Sequence, residues 1–195
     1  MILHNGGKYN GDESQLPQRE HPEGYVPFKE AQTMGELAKK MNILCIIILI
    51  FTMGLMAIRL HAAGIGMKET FSQFGIGCAL MIAALVPHEF LHALCFREDV
   101  YVYNNLKQGM LFVIGTEDMS KSRFIFLSLL PNVIFGAVPY VIFMIFPEFI
   151  WMGSLGALAL SSGAGDYYNV YNAIKQVPDN ALIYLSGMHS FWYIP

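Results

Sequence analysis

Charge is what this chain has least of. Asp, Glu, Lys and Arg make up 14 per cent of its 195 residues, against 54 per cent hydrophobic and 13 per cent aromatic, whereas an ordinary soluble domain carries about a quarter charged residues. The composition excludes such a domain and reads as an integral membrane protein. The net charge is only −3, and no dense run of Lys and Arg occurs, which argues against nucleic acid as a partner. Cysteine is limited to Cys45, Cys78 and Cys95, an odd number scattered through apolar stretches. That excludes a disulfide framework and leaves three small hydrophobes on membrane helices. No cleavable leader is expected, because the first strongly apolar run starts near Met41 with no small-residue cleavage pattern behind it.

What is present is a series of apolar runs. Residues 1 to about 35 mix Gly, Pro, Gln, Glu and Lys without a sustained period, so they are expected to be disordered or loosely surface-bound. Residues 30–41 have the pattern of a short amphipathic helix lying on the membrane surface. Runs over about 42–60, 71–96, 124–146 and 149–174 follow, each long enough to cross a bilayer. The expected fold is therefore mostly α, a polytopic membrane protein of about four transmembrane helices. Between the second and third runs, two β-branched and aromatic stretches surround Asn104, Asn105 and Gly109, which predicts a short β-hairpin over about 99–115. The domain reading is a segment over 1–40, a membrane domain over 41–175 and a polar tail over 176–195. Five Lys/Arg precede the first run, four lie between the second and third, and Lys175 follows the fourth. Only Arg59 and Lys68 lie on the other side, so the positive-inside rule puts both termini and the hairpin, Lys107 included, in the cytoplasm of a multi-pass cell-membrane protein.

Near the end of the second run the chain reads VPHEFLHALCF, residues 86–96, with His88, Glu89 and His92 in the pattern H-E-x-x-H. On a helix, positions i and i+4 share a face, so two imidazoles can converge on one tetrahedral zinc ion. The intervening Glu89 can reach a water there and serve as general base. A chance occurrence in a chain of this composition is about one in a hundred, and this one falls among apolar residues where ionisable groups mark function. The competing reading is a structural histidine pair. Pro87, just before the motif, either loosens the adjoining helical turn or is an ordinary transmembrane proline.

A catalytic zinc usually takes three protein ligands. In the four-span topology His88 lies roughly 24 Å from the outer end of its run and Asp166 roughly 26 Å, at 1.5 Å per residue. Asp166 is also the one acidic residue downstream of the motif that falls inside a run, and ligation would compensate its burial. It is the expected third ligand, with His189 as substitute; a carboxylate hydrogen-bonded to Asn132, Asn169 or a tyrosine is the alternative. Gly153, Gly156, Ala157, Ala159 and Gly163 would let helices approach closely there. Asn132 and Asn169 are candidates to orient ligands or hold a substrate carbonyl, or else structural polar groups.

The HEFLH motif on a membrane helix, the hairpin and the GAGD sequence ending at Asp166 resemble the site-2 protease group of intramembrane zinc metalloproteases. Over residues 40 to 175 the chain is more similar still to a small bacterial family of four-span zincin peptidases. In site-2 proteases the third ligand is an aspartate on a late helix, usually followed by glycine. That role maps onto Asp166, although Tyr167 follows here and the longer asparagine- and proline-containing motif is missing. The resemblance implies one zinc ion per chain and hydrolysis of membrane-protein or peptide substrates in or beside the lipid bilayer, with Glu89 as the catalytic base. The hairpin would either pair with an extended substrate or act as a lid. Two other readings use the same residues: a pseudoprotease that binds client helices, and a metal carrier, although no internal repeat of the transporter kind is visible.

Overall fold

A computed structural model describes residues 2–31, 33–105 and 110–195. The elements, in chain order, are strand β1 (Ile2–Lys8), strand β2 (Val26–Pro27), helix α1 (Met34–Ala62), helix α2 (Met67–Leu94), strands β3 (Asp99–Asn105), β4 (Met110–Gly115) and β5 (Met119–Ser120), helix α3 (Lys121–Pro131), a π-helical turn (Asn132–Ala137), helices α4 (Val138–Ile145), α5 (Ile150–Ser162) and α6 (Ala164–Gln176), and strands β6 (Leu182–Ser186) and β7 (His189–Tyr193). Among the described residues three stretches are long and apolar enough to cross a membrane: Gly35–Ala62, Met67–Leu94 and Lys121–Ile145.

The first compact unit comprises Met1–Ala31, Glu89–Ser128 and Asn169–Pro195. It contains two sheets. In one, of order β1-β3-β4, β1 runs parallel to β3, and β3 pairs antiparallel with β4 from Val100↔Gly115 to Asn105↔Met110. The expected hairpin strands are present; Lys107 and Gly109 lie outside the described residues. In the other sheet, of order β2-β7-β6-β5, Val26 pairs with Trp192 and Ser120 with Leu182. A core of Phe28, Ala93, Phe96, Phe124, Val177 and Ile183 packs the last turn of α2 and the residues after it into this unit.

The second unit comprises Gln32–His88 and Leu129–Tyr168. Its helix α1 begins at a capped end, where the Glu36 amide donates to Thr33 Oγ1 at 3.1 Å, which satisfies one of the donors a helix start leaves unpaired. Tyr140 Oη donates to the Thr52 carbonyl at 2.6 Å, and Arg59 donates to the Met144 and Ile145 carbonyls at 2.8 and 3.2 Å. The guanidinium thereby closes the carbonyl end of α4, where the helix dipole is negative. Small residues set the helix spacing, as polar-poor membrane packing requires. A Cβ on Gly156 would come within 2.7 Å of Tyr140 and of the Gly136 carbonyl, and one on Gly77 within 1.9 Å of Ser154 Oγ. Much of α1 and α2 is left bare, with Ile50 68 per cent and Ile82 71 per cent exposed, which suits contact with lipid.

Three expectations change. The N-terminal residues are ordered as β1 and β2, because their partners β3 and β7 supply the hydrogen bonds that an isolated polar segment lacks. Among the described residues no separate surface helix is seen over 30–41: residues 34–40 are the first turns of α1, which runs on into the apolar stretch. The apolar stretch 149–174 is divided at Gly163 into α5 and α6, of 13 residues each, and the polar tail forms the β6–β7 ribbon. Only the earlier three runs meet the length of a full span.

Candidate metal centre

Helix α2 runs through Pro87 to Leu94 without interruption. Its i, i+4 geometry stacks the motif side chains as the spacing predicts. One ligand atom from each of His88, Glu89 and His92 lies within 4.8 Å of the others. His92 is 6 per cent exposed, and His88 and Glu89 are half-buried.

His92 Nδ1 is 2.9 Å from the Leu127 carbonyl oxygen. A carbonyl can only accept, so Nδ1 carries a proton, and in the neutral ring Nε2 keeps its lone pair. Metal-binding histidines are typically oriented by such a bond. Asp166, in the first turn of α6, places Oδ2 3.6 Å from His88 Nε2. That separation is one that a single ion with ligand bonds of about 2 Å to each partner spans. Two imidazoles and carboxylate oxygens form a nitrogen and oxygen donor set that suits zinc, so the residues present fit the ion.

Asp166 Oδ2 also accepts a 2.7 Å hydrogen bond from Asn132 Nδ2. Asn132 begins the π-helical turn, just after Pro131, and is 2 per cent exposed. Asn169 lies half-buried further along α6. His189 is on β7, 3.6 Å from Glu13 and 3.4 Å from Glu30, so the structure brings together Asp166, Asn132 and His88 while giving His189 other partners.

Some contributors escape a reading of the sequence. Glu117, 4 per cent exposed, accepts from the backbone amides of Arg97 at 2.8 Å and Glu98 at 2.6 Å and pairs with Arg123. Arg123 in turn donates to the Cys95 carbonyl through Nε at 3.1 Å and Nη2 at 2.6 Å. This buried pair holds the chain just after the motif helix, where helix carbonyls lose their partners. In sequence Glu117 and Arg123 look like any charged loop. The Leu127 carbonyl has no side-chain signature at all.

Residues 81–182, just over half of the chain, match the family described as Putative zincin peptidase. No curated protein and no solved structure matches the chain.

Proposed function

We propose, from the premise that the chain belongs to this zincin peptidase family, that it is a zinc metallopeptidase hydrolysing peptide bonds of membrane-protein substrates within or beside the bilayer. The observation that carries the reading is the convergence of His88, Glu89 and His92 on one face of α2, a helix apolar enough to cross a membrane. His88 and His92 would hold the ion, with Asp166 as third ligand through its approach to His88. Bound zinc supplies Lewis acidity, polarising the scissile carbonyl and making an attacking water more acidic.

Glu89 accepts the proton that this water gives up as its oxygen joins the carbonyl carbon, and returns it to the amide nitrogen as the C–N bond breaks. The products are a carboxylic acid and an amine, which exchange the remaining proton to leave as carboxylate and ammonium. The Leu127 carbonyl keeps His92 in one tautomer throughout. Burial of His92 and the apolar lining of α2 limit competing water and strengthen each charge interaction.

Strand pairing supports a topology. Residues before α1, between α2 and α3, and after α6 all share sheets, so the N-terminal segment, the α2–α3 connection and the residues after α6 lie on one side of the membrane. The cation distribution makes that side cytoplasmic. With α1, α2 and the α3–α4 stretch crossing, α5 and α6 together return the chain, a broken path of the kind tolerated where it is buried in protein.

The test is Glu89→Gln, which keeps side-chain volume and both histidines. Purified protein in lipid should retain its zinc and cleave a membrane-anchored peptide about a hundredfold to ten-thousandfold more slowly. Cleavage by the variant at the wild-type rate would rule the mechanism out.

A further inference from the structure

Asn132 and Gly163 form a fitted pair beside Asp166. The Asn132 amide has its Nδ2 donor on Asp166 Oδ2 at 2.7 Å, and its Oδ1 acceptor faces Tyr167 Oη at 3.5 Å. Tyr167 Oη is itself anchored on the Leu160 carbonyl at 3.0 Å. The amide orientation is set by Asp166, whose carboxylate can only accept and so takes the Nδ2 end. On the Oδ1 side space is provided by the glycine that separates α5 from α6. A Cβ on Gly163 would lie 1.9 Å from Asn132 Oδ1, 2.6 Å from Cγ and 3.0 Å from Nδ2, all three atoms of the one amide. Gly163 has φ −72°, so no unusual backbone conformation calls for glycine there; the volume of the amide does. The other fixed element is the π-helical turn that starts at Asn132, since such wide turns re-aim side chains and recur at functional sites.

We propose that Asn132 is the positioning residue of Asp166: it fixes the carboxylate rotamer so that Oδ2 is presented to His88, and Gly163 is the vacancy that lets it do so. The proposal rests on the zinc reading above. A carboxylate on a short helix start has its own rotamer freedom, and ordering it only when an ion arrives would weaken binding. Asn132 orders it beforehand. The amide contributes a hydrogen bond and no charge, so it leaves Asp166 anionic and able to ligate.

The experiment uses the full chain in detergent and measures zinc affinity by competition with a chromophoric chelator, with thermal unfolding of the metal-free protein as the control for fold. Asn132→Leu keeps the branched shape and number of heavy atoms and removes the hydrogen bond to Asp166. Gly163→Ala preserves the amide and displaces it. Each should lower zinc affinity about ten- to a hundredfold with metal-free unfolding near wild type, a split that a merely structural role would not give. Wild-type affinity in Gly163→Ala, or in a folded Asn132→Leu, overturns the proposal. Should Asn132→Leu fail to fold, Gly163→Ala alone decides. His92→Ala run in parallel distinguishes the failures: if it too keeps zinc undiminished the metal reading itself fails, and if it loses zinc while the other two do not, only the positioning role falls.

Discussion

His92 and Leu127 are joined by a 2.9 Å hydrogen bond from imidazole Nδ1 to backbone carbonyl, and this contact leaves Nε2 as the ring nitrogen that could meet a metal ion. With the proton held at Nδ1, Nε2 is the donor atom before any ion arrives. Purified chain should hold one zinc ion, and His88→Ala and His92→Ala should each remove it, as elemental analysis after gel filtration would show. Full retention in either variant would mean the ion sits elsewhere.

Glu117 and Arg123 form a buried pair that also satisfies two amides and one carbonyl next to the motif helix. Removing one partner of such a pair strands the other charge, which costs about 3 kcal/mol or more. Arg123→Ala should lower the unfolding temperature clearly, and more than Arg19→Ala, whose 2.9 Å pair with Asp118 is partly exposed. Equal, small shifts in the two variants would show that the buried pair has no special part.

On the proposed topology Lys68 and Lys175 lie on opposite sides of the membrane. In a background with the native cysteines replaced, Cys at 68 should react with an impermeant reagent on intact cells, and Cys at 175 only after permeabilisation. The reverse pattern would invert the topology, and equal reactivity would remove it.

Glu30, just before α1, is tucked against His189 and Ser190, and burial pushes its carboxyl above the usual range despite hydrogen bonds from those two residues. The folded state therefore holds this proton more tightly than the unfolded state does. Stability from this group is fully present below the ordinary carboxylate pKa of about 4.3 and is lost as pH rises through the raised value. Unfolding temperature measured against pH should fall across that window in the wild type and fall less in Glu30→Gln. Parallel curves would refute it.

What could be read from the sequence was local. The i, i+4 histidines, the apolar lengths of α1 and α2 and the β3 and β4 stretches each depend on neighbours within a few residues. Asp166 could be singled out because a lone carboxylate among Gly and Ala is conspicuous, and the glycines before it do pack closely, Gly153 on Phe143, Gly156 on Tyr140 and Gly163 on Asn132. What could not be read was pairing at long range. The strand Ile2–Lys8, sequence ILHNGGK, has no strand pattern of its own; it becomes one because β3, about a hundred residues on, offers an open edge. The same holds for β2, whose two residues find β7. The break at Gly163 was hidden for a different reason: a glycine between apolar residues looks like helix packing until Asn132 is seen filling the space beside it.

The position of β7 bears on how the chain matures. It is an inner strand, between β2 and β6, yet it lies downstream of every helix. During synthesis the helices can enter the bilayer in order, while Val26 and Pro27 wait for Trp192 and Phe191 to be made. Strand β1 can pair with β3 earlier, but β2 stays without its partner strand until translation has passed every described helix. Closure of that sheet therefore comes late in synthesis, and a nascent chain stalled before residue 189 would carry the HEFLH motif without the completed second sheet.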